Sequence, residues 1–506
     1  QSQQSQPSAR SIETNKKMAS TTSNRGGRTL RVLLMPFFAT SHIEPFTELA
    51  IRLAASRPNA VVRPTIPVTP ANVSVVESML ERRLHGHGHN PAAIKIVTDP
   101  FPVVDGLPKG VENLRKASTP AESLRINLAA LSDALMRRPQ ETLIRALSRD
   151  AIFTDMHFTW SSNIAKELGV PCVAFNVMGA FPMLAVRHLI MDDVAVDDND
   201  VATIPRFPVP RIRIPRTELP YILRSRNYDA SNMVHSMQAD CFGIAINTFS
   251  DLEQQYCEMY VREGYVKRAY FLGPLSLQLQ QSSRAAKGVA DSRFIDWLGT
   301  KPNRSVVYLF FGTCAHISDV QLDELALGRE ASRRSFMWVV RAADKWAPPK
   351  GCEKRVEDWG LIVRVWAPQK AILEHSAVGA FVTQCGWNSV LEAVAAGWPM
   401  LTWPKVYEQF ITKRLITEVL GIAERLWPHG ADLRSENYRK HEVIMDDDVV
   451  RALITFKSLG GLGDMARNKV MDLASRSHAA MAEDTVICTV WLMISWQQEE
   501  PRDLTS

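Results

Sequence analysis

The 506-residue chain contains no run of 18 apolar residues. Its longest candidate, Val486 to Trp496, is too short to span a bilayer, so no integral membrane segment is expected. Seven cysteines (Cys172, Cys241, Cys257, Cys314, Cys352, Cys385 and Cys488) are scattered, odd in number and without a Cys-x-x-Cys pair. That argues against a disulfide framework or a zinc site and for a reducing compartment, the cytoplasm. Basic blocks interleaved with aromatics are missing too, and the net charge of +5 is mild for this length, which argues against a nucleic-acid partner. The Gln/Ser-rich amino terminus has no apolar h-region, so it is not a secretory signal. No G-x-S-x-G elbow supports a serine hydrolase, and no internal repeat is visible.

What is present is a double series of strand and helix signals. Residues 1–28 read as a disordered extension, with Met18 a plausible start and a transit peptide the rival reading of the segment before it. Thr29–Phe38 is an apolar run typical of a buried parallel strand, followed by Phe46, Leu49, Ala50 and Leu53 at helical spacing. Further strands fit Ala60–Ile66, Ile94–Thr98, Ala151–Thr154 and Cys172–Val177, with amphipathic segments at Leu124–Leu143 and Ser161–Leu168. The Pro-rich residues 195–220 read as an irregular excursion. Residues 276–292 are polar and aperiodic, and they divide a first domain (29–275) from a second (293–465). Ser305–Phe311, Phe336–Val340, Leu361–Val365, Ala380–Val382 and Pro399–Thr402 supply the second strand series. The fold class is therefore α/β, two doubly wound parallel-sheet domains with a cleft at their strand carboxyl ends.

The densest cluster of ligand-type residues is the 44-residue block from Trp366 to Gln409. Gly386-Trp387-Asn388-Ser389 follows a strand and opens a helical run, where free backbone N–H groups suit a diphosphate. Glu392 falls three residues after Ser389 and four after Asn388, on their face of the helix, where a carboxylate suits two ribose hydroxyls. Trp366 offers an indole face to a base. Gly312-Thr313, after its own strand, offers further donors to phosphate. Alone, each of these residues has an ordinary structural explanation; their joint spacing points to a nucleotide sugar.

This block, with its Trp-Ala-Pro-Gln start, Cys-Gly-Trp-Asn-Ser centre and Glu-Gln end, resembles the signature of the plant-type family 1 UDP-glycosyltransferases. The PFFATSH loop, the VVYLFFGT strand and the CVAFNVMGAF segment extend the resemblance over about residues 29–480. It implies a GT-B fold, with an amino-terminal acceptor-binding domain, a carboxyl-terminal UDP-sugar-binding domain, and a final segment, 466–506, returning to the first. It assigns Trp366 and Ala367 to uracil, Gln369 and Glu392 to ribose, Thr313, Asn388 and Ser389 to the phosphates, and Trp387, Glu408 and Gln409 to the sugar. A terminal Gln implies UDP-glucose, transferred with inversion to a hydroxyl of a small plant metabolite. The implied enzyme is a monomer using no metal or other cofactor. One position departs: Gln384 stands where the family has the His of its His-Cys-Gly-Trp-Asn-Ser. An amide still donates to phosphate but carries no charge, so weakened donor binding is expected.

Transfer to a hydroxyl needs a base. His42 lies in the loop after the first strand, and Asp155 closes the strand Ala151–Thr154, so both face one crevice. An Asp on the far ring nitrogen fixes the tautomer and stabilises the imidazolium. The resemblance gives the same assignment, His42 as base and Asp155 as partner. His157 and Asp150 are nearby competitors for the two roles. The alternative function is a sugar-nucleotide-binding protein with little or no transferase activity, motivated by Gln384 and by an atypical tail after Glu483. Two other signals carry little weight: His85-Gly-His87-Gly-His89 reads as a solvated loop. Gly461-Leu-Gly463-Asp-Met-Ala466 matches a dinucleotide pattern but follows helical rather than strand spacing.

Overall fold

The computed structural model describes residues 28–55, 60–84, 94–147, 149–277, 289–312, 316–340, 346–426, 441–457 and 460–482. The first half supplies strands β1 (Arg28–Met35), β2 (Ala60–Val68), β3 (Lys95–Thr98), β4 (Ala151–Thr154) and β5 (Cys172–Asn176). A short antiparallel hairpin, β6 (Val201–Thr203) and β7 (Arg213–Pro215), precedes β8 (Gly243–Ile246) and β9 (Ala269–Phe271). The second half supplies β10 (Val306–Phe310), β11 (Phe336–Val339), β12 (Gly360–Val363), β13 (Val378–Thr383), β14 (Met400–Thr402) and β15 (Ala423–Arg425). Seven strands order as β3-β2-β1-β4-β5-β8-β9 and six as β12-β11-β10-β13-β14-β15. All pairs in both sheets are parallel. Helices cover both faces of such sheets, which is why β4, β5 and β13 are buried at every residue and read as unbroken apolar runs.

Each sheet reverses its strand order once next to its first strand, between β1 and β4 and between β10 and β13. Crevices form at such switch points, beyond the strand carboxyl ends. Register sets the two ends side by side: Met35 lies opposite Thr154, and Phe310 opposite Thr383.

Several elements differ from the sequence expectation. β8, β9 and β15 are three or four residues long, too short to show a period. The Pro-rich excursion contains the β6–β7 hairpin. Leu124–Leu143 is not one helix: Pro120–Leu131 and Arg138–Leu147 are separated at Ser132, whose hydroxyl accepts the Leu135 N–H. The expected extension 1–28 and linker 276–292 lie mostly outside the described residues, but Arg28 already belongs to β1 and a helix begins at Val289. The Gly461–Ala466 pattern opens the helix Leu462–Ala482 and follows the helix Asp446–Phe456 instead of a strand, so no dinucleotide turn forms there. The His85–His89 tract and the tail after Ala482 lie outside the described residues. Among those described, no helix is long and apolar enough to cross a membrane.

The halves are joined by a shared core in which Phe181 and Tyr256 of the first join Trp387 and Val390 of the second. Arg476 on the helix Leu462–Ala482 pairs with Asp251 of the first half at 2.8 Å. A buried ion cluster adds to this. Glu218, beside the hairpin, accepts from Lys413 Nζ at 2.8 and 2.9 Å and from Arg414 Nη2 at 2.5 Å, both on the helix Gln409–Arg414.

Candidate functional site

On the first sheet, β1 leads through Phe37 and Phe38 into helix α1 (Thr40–Ala55). His42 is on the first turn of α1, one step beyond the loop in which the sequence reading put it. Its Nδ1–H donates to Asp155 Oδ2 at 2.7 Å, and Asp155 is 1% exposed. Burial alone would push this carboxyl up. The His42 charge and the hydrogen bonds from His157 and His42 outweigh it and hold Asp155 well below its usual range. Asp155 is thus an obligate acceptor, which in the neutral form of His42 places the proton on Nδ1 and leaves Nε2 with a free lone pair.

His157, a competitor in the sequence reading, is a second partner of Asp155. Its Nδ1–H donates to Oδ1 at 2.6 Å. The other competitor is elsewhere: the Asp150 carboxylate accepts the Arg31 N–H at 2.8 Å, at the amino end of β4. His42, Asp155 and His157 are also the one cluster among the described residues of a composition that could hold a metal ion. Both carboxylate oxygens already accept imidazole protons, so a cation would have to displace two hydrogen bonds.

On the second sheet, β13 delivers Gln384, Cys385 and Gly386 to the amino end of the helix Trp387–Ala396, where no side chain caps the free N–H groups. The Gln384 amide is packed between two glycines. A Cβ on Gly312 would come within 2.4 Å of Nε2, and one on Gly386 within 2.9 Å. Gly312, at φ 74°, needs glycine on backbone grounds, and a side chain at either position would displace the amide from this cradle. Thr313 lies outside the described residues. Gln369 Nε2 donates to Ser389 Oγ at 3.1 Å and to Glu392 Oε2 at 2.6 Å, drawing three expected nucleotide contacts into one network. Trp366 precedes it on an exposed loop, 44% accessible, and the Ala367 carbonyl accepts the Gln369 N–H. Gln409 Oε1 accepts from the Lys405 and Val406 N–H groups, so its amide NH₂ is the part left for a sugar hydroxyl. Glu408 sits directly before the helix that Gln409 begins.

Trp387 differs from its expected role. Its indole is 3% exposed, donates to the Asn247 carbonyl at 2.7 Å and lies against Gly179. The side chain is a strut between the halves, which leaves its backbone N–H as the group for a ligand. Asn388 also crosses the cleft: Nδ2 donates to the Ser41 carbonyl at 2.9 Å. That carbonyl is free because Pro45, four residues on in α1, has no N–H to give it. The donor-side Asn388 is therefore one hydrogen bond from the residue preceding His42.

The first half also reaches the expected nucleotide contacts through residues the sequence did not single out. The Arg82 guanidinium, on α2 (Val73–Leu84), stands 4.9 Å from the Trp366 ring centroid. Glu44 on α1 faces Glu392. Burial, then Glu392, push the Glu44 carboxyl up to about 7, and burial pushes Glu392 to about 7 against its Gln369 bond. A helical face bearing charge reads as solvated when no partner domain is visible, so neither Arg82 nor Glu44 gave a signal. Because both values are raised in the fold, their contribution to stability is complete below about 4.5 and is lost as pH rises towards 7. The thermal midpoint of the unliganded protein is expected to fall across that window. Glu392→Gln should flatten the decline in a melt series from pH 4.5 to 8; an unchanged slope counts against the assignment.

A family profile described as UDP-glucoronosyl and UDP-glucosyl transferase matches residues 287–423. UDP-glycosyltransferase 73E1 of Stevia rebaudiana is 32% identical over 478 residues, covering 90% of this chain and 93% of that protein. Scopoletin glucosyltransferase of Nicotiana tabacum is 34% identical over 421 residues, covering 79% and 86%. The crystal structure of Glycyrrhiza uralensis UGT73P12, complexed with glycyrrhetinic acid 3-O-monoglucuronide, matches with a TM-score of 0.78 at 30% identity, covering 93% of this chain and 96% of that one. Similarity of this extent shows that the chain belongs to the plant family 1 UDP-glycosyltransferases, enzymes of the GT-B fold.

Proposed function

We propose that the protein is an inverting UDP-glucose-dependent glucosyltransferase that forms β-glucosides on a hydroxyl of a small plant metabolite of flavonoid, phenolic, terpenoid or hormone type. The observation that carries this reading is the Asp155-anchored His42, whose free Nε2 stands across the cleft from an uncapped helix amino terminus. Nε2 takes the acceptor O–H proton as the oxygen attacks the anomeric carbon. The bond from that carbon to the β-phosphate oxygen breaks, and its electron pair leaves with UDP. The Asn388 and Ser389 amides at the helix start stabilise the departing charge. Trp366 would stack on uracil, the Gln369–Glu392 pair would hold ribose, and Glu408 and Gln409 would orient glucose. The cytoplasm fits the free cysteines among the described residues, and the reading places the enzyme there as a monomer.

The test is a coupled UDP-release assay with UDP-glucose and an acceptor panel, with products identified by mass spectrometry and the anomer by NMR. An α-linked product, or no acceptor-dependent release, counts against the proposal. Gln384 favours a second reading, a sugar-nucleotide binder with little turnover. Its neutral amide forgoes a charge-assisted bond, so Gln384→His is expected to tighten UDP about fivefold by calorimetry. Binding of UDP-glucose without acceptor-dependent release would favour this reading over the first.

A further inference from the structure

The catalytic carboxylate is shared. Asp155 accepts from two imidazoles, His42 on Oδ2 at 2.7 Å and His157 on Oδ1 at 2.6 Å. The His157 backbone N–H adds a third bond to Oδ1 at 3.2 Å. The His157 ring is itself pinned, stacked on Phe37 with centroids 3.8 Å apart and planes 9° from parallel. Phe37 also meets His42 edge-on at 5.1 Å, and the two imidazoles lie 5.6 Å apart. One buried phenyl ring thus braces both donors around one buried carboxylate. A simple His–Asp pair needs only one of them.

We propose that His157 is a positioning residue for the transfer reaction, locking the Asp155 carboxylate towards His42 and dividing its charge between two imidazoles. This rests on the reading of His42 as the base. Two effects follow. The lock keeps Oδ2 in line with His42 Nδ1, so the ring stays aimed at the acceptor. The division leaves less negative charge facing His42 than a single pair would. The charged groups acting on Asp155 are these two histidines. The other titratable groups assigned to the cleft are Glu44 and Glu48 on α1 and Glu392 opposite, with Arg82 and Arg115 as cations.

The test compares His157→Phe, which keeps a ring against Phe37 but removes the donor, with His157→Asn, whose amide nitrogen takes the place of Nδ1. For His157→Phe, kcat is expected to fall about tenfold, with both KM values unchanged and the acid limb moved up by about half a pH unit. His157→Asn should restore kcat and the profile to near wild type. Wild-type kcat and profile in His157→Phe overturn the inference. So does equal impairment in His157→Asn, which would mean that the imidazole itself is needed. Should the phenylalanine variant not fold, His157→Leu gives the same contrast. His42→Ala measured alongside separates the layers. Full turnover there removes the base assignment and this inference with it. An inactive His42→Ala beside an unaffected His157→Phe removes the inference alone.

Discussion

Replacing His42 by alanine is expected to lower glucosyl transfer about 100- to 10,000-fold while leaving UDP affinity within about twofold of wild type. The loss is large because His42 Nε2 is the group placed to receive the acceptor proton. Asp155, locked below its usual range, holds the other nitrogen protonated. The donor half is insulated from the change: Asn388 bonds the Ser41 carbonyl, a backbone group that alanine at 42 leaves in place. Removing the ring strips one of two imidazole donors from a buried carboxylate, at a cost of about 1–3 kcal/mol. His157 still holds Asp155, so the variant should fold, with a lower melting point. Turnover within a few-fold of wild type, measured by UDP release with a phenolic acceptor, would sink the assignment of His42 as base.

Glu218→Ala is expected to destabilise the protein by about 3–5 kcal/mol. Glu218 is 7% exposed and meets Lys413, 0% exposed, and Arg414, 3% exposed. Burial alone would raise its carboxyl, but Lys413 and Arg414 outweigh burial and keep it below 4.5. Even with that carboxylate present, burial pushes Lys413 down to about 8. Alanine would leave two buried cations facing each other. Arg414 can lean on Glu418 at 2.7 Å, whereas Lys413 loses the carboxylate that it meets at 2.8 Å. Because the folded value of Glu218 is depressed, its contribution is present above about 4.5 and is lost as pH falls below that. The helix carrying these cations begins at Gln409, so the donor KM should rise as well. Denaturant melts at pH 7 of the wild type, Glu218→Ala and Glu218→Gln check this. The charge argument fails if all three share one midpoint. A Glu218→Ala/Lys413→Met double variant should regain part of the loss.

Much of the site was legible because its residues are close in sequence. Gln369, Ser389 and Glu392 fall within one 44-residue block, and helix geometry alone puts Ser389 and Glu392 on one face. His42 and Asp155 were legible for another reason: each follows an apolar run that could only be a buried parallel strand, and catalytic groups gather at the ends of such strands. The place of the Trp387 indole was not legible from the motif. Its actual partner, Asn247, lies 140 residues away and belongs to the other half. Arg82 and Glu44 were missed for the same reason, since the groups they meet across the cleft, Trp366 and Glu392, come from the opposite half.

By itself, then, the sequence determined the fold class, the two strand series, the clustering of Gln369, Ser389 and Glu392, and the His42–Asp155 pairing. These rest on local period and on motif spacing, which are properties of short segments. Only the tertiary structure decided that Asp155 is shared with His157, that Trp387 is a strut, that Pro45 frees a carbonyl for Asn388, and that Glu218 binds the halves together. His157 is only two residues from Asp155, but the carboxylate is shared because strand order brings His42 to it from 113 residues away; the others likewise depend on strand order or on the docking of one half on the other. No local pattern encodes that distance.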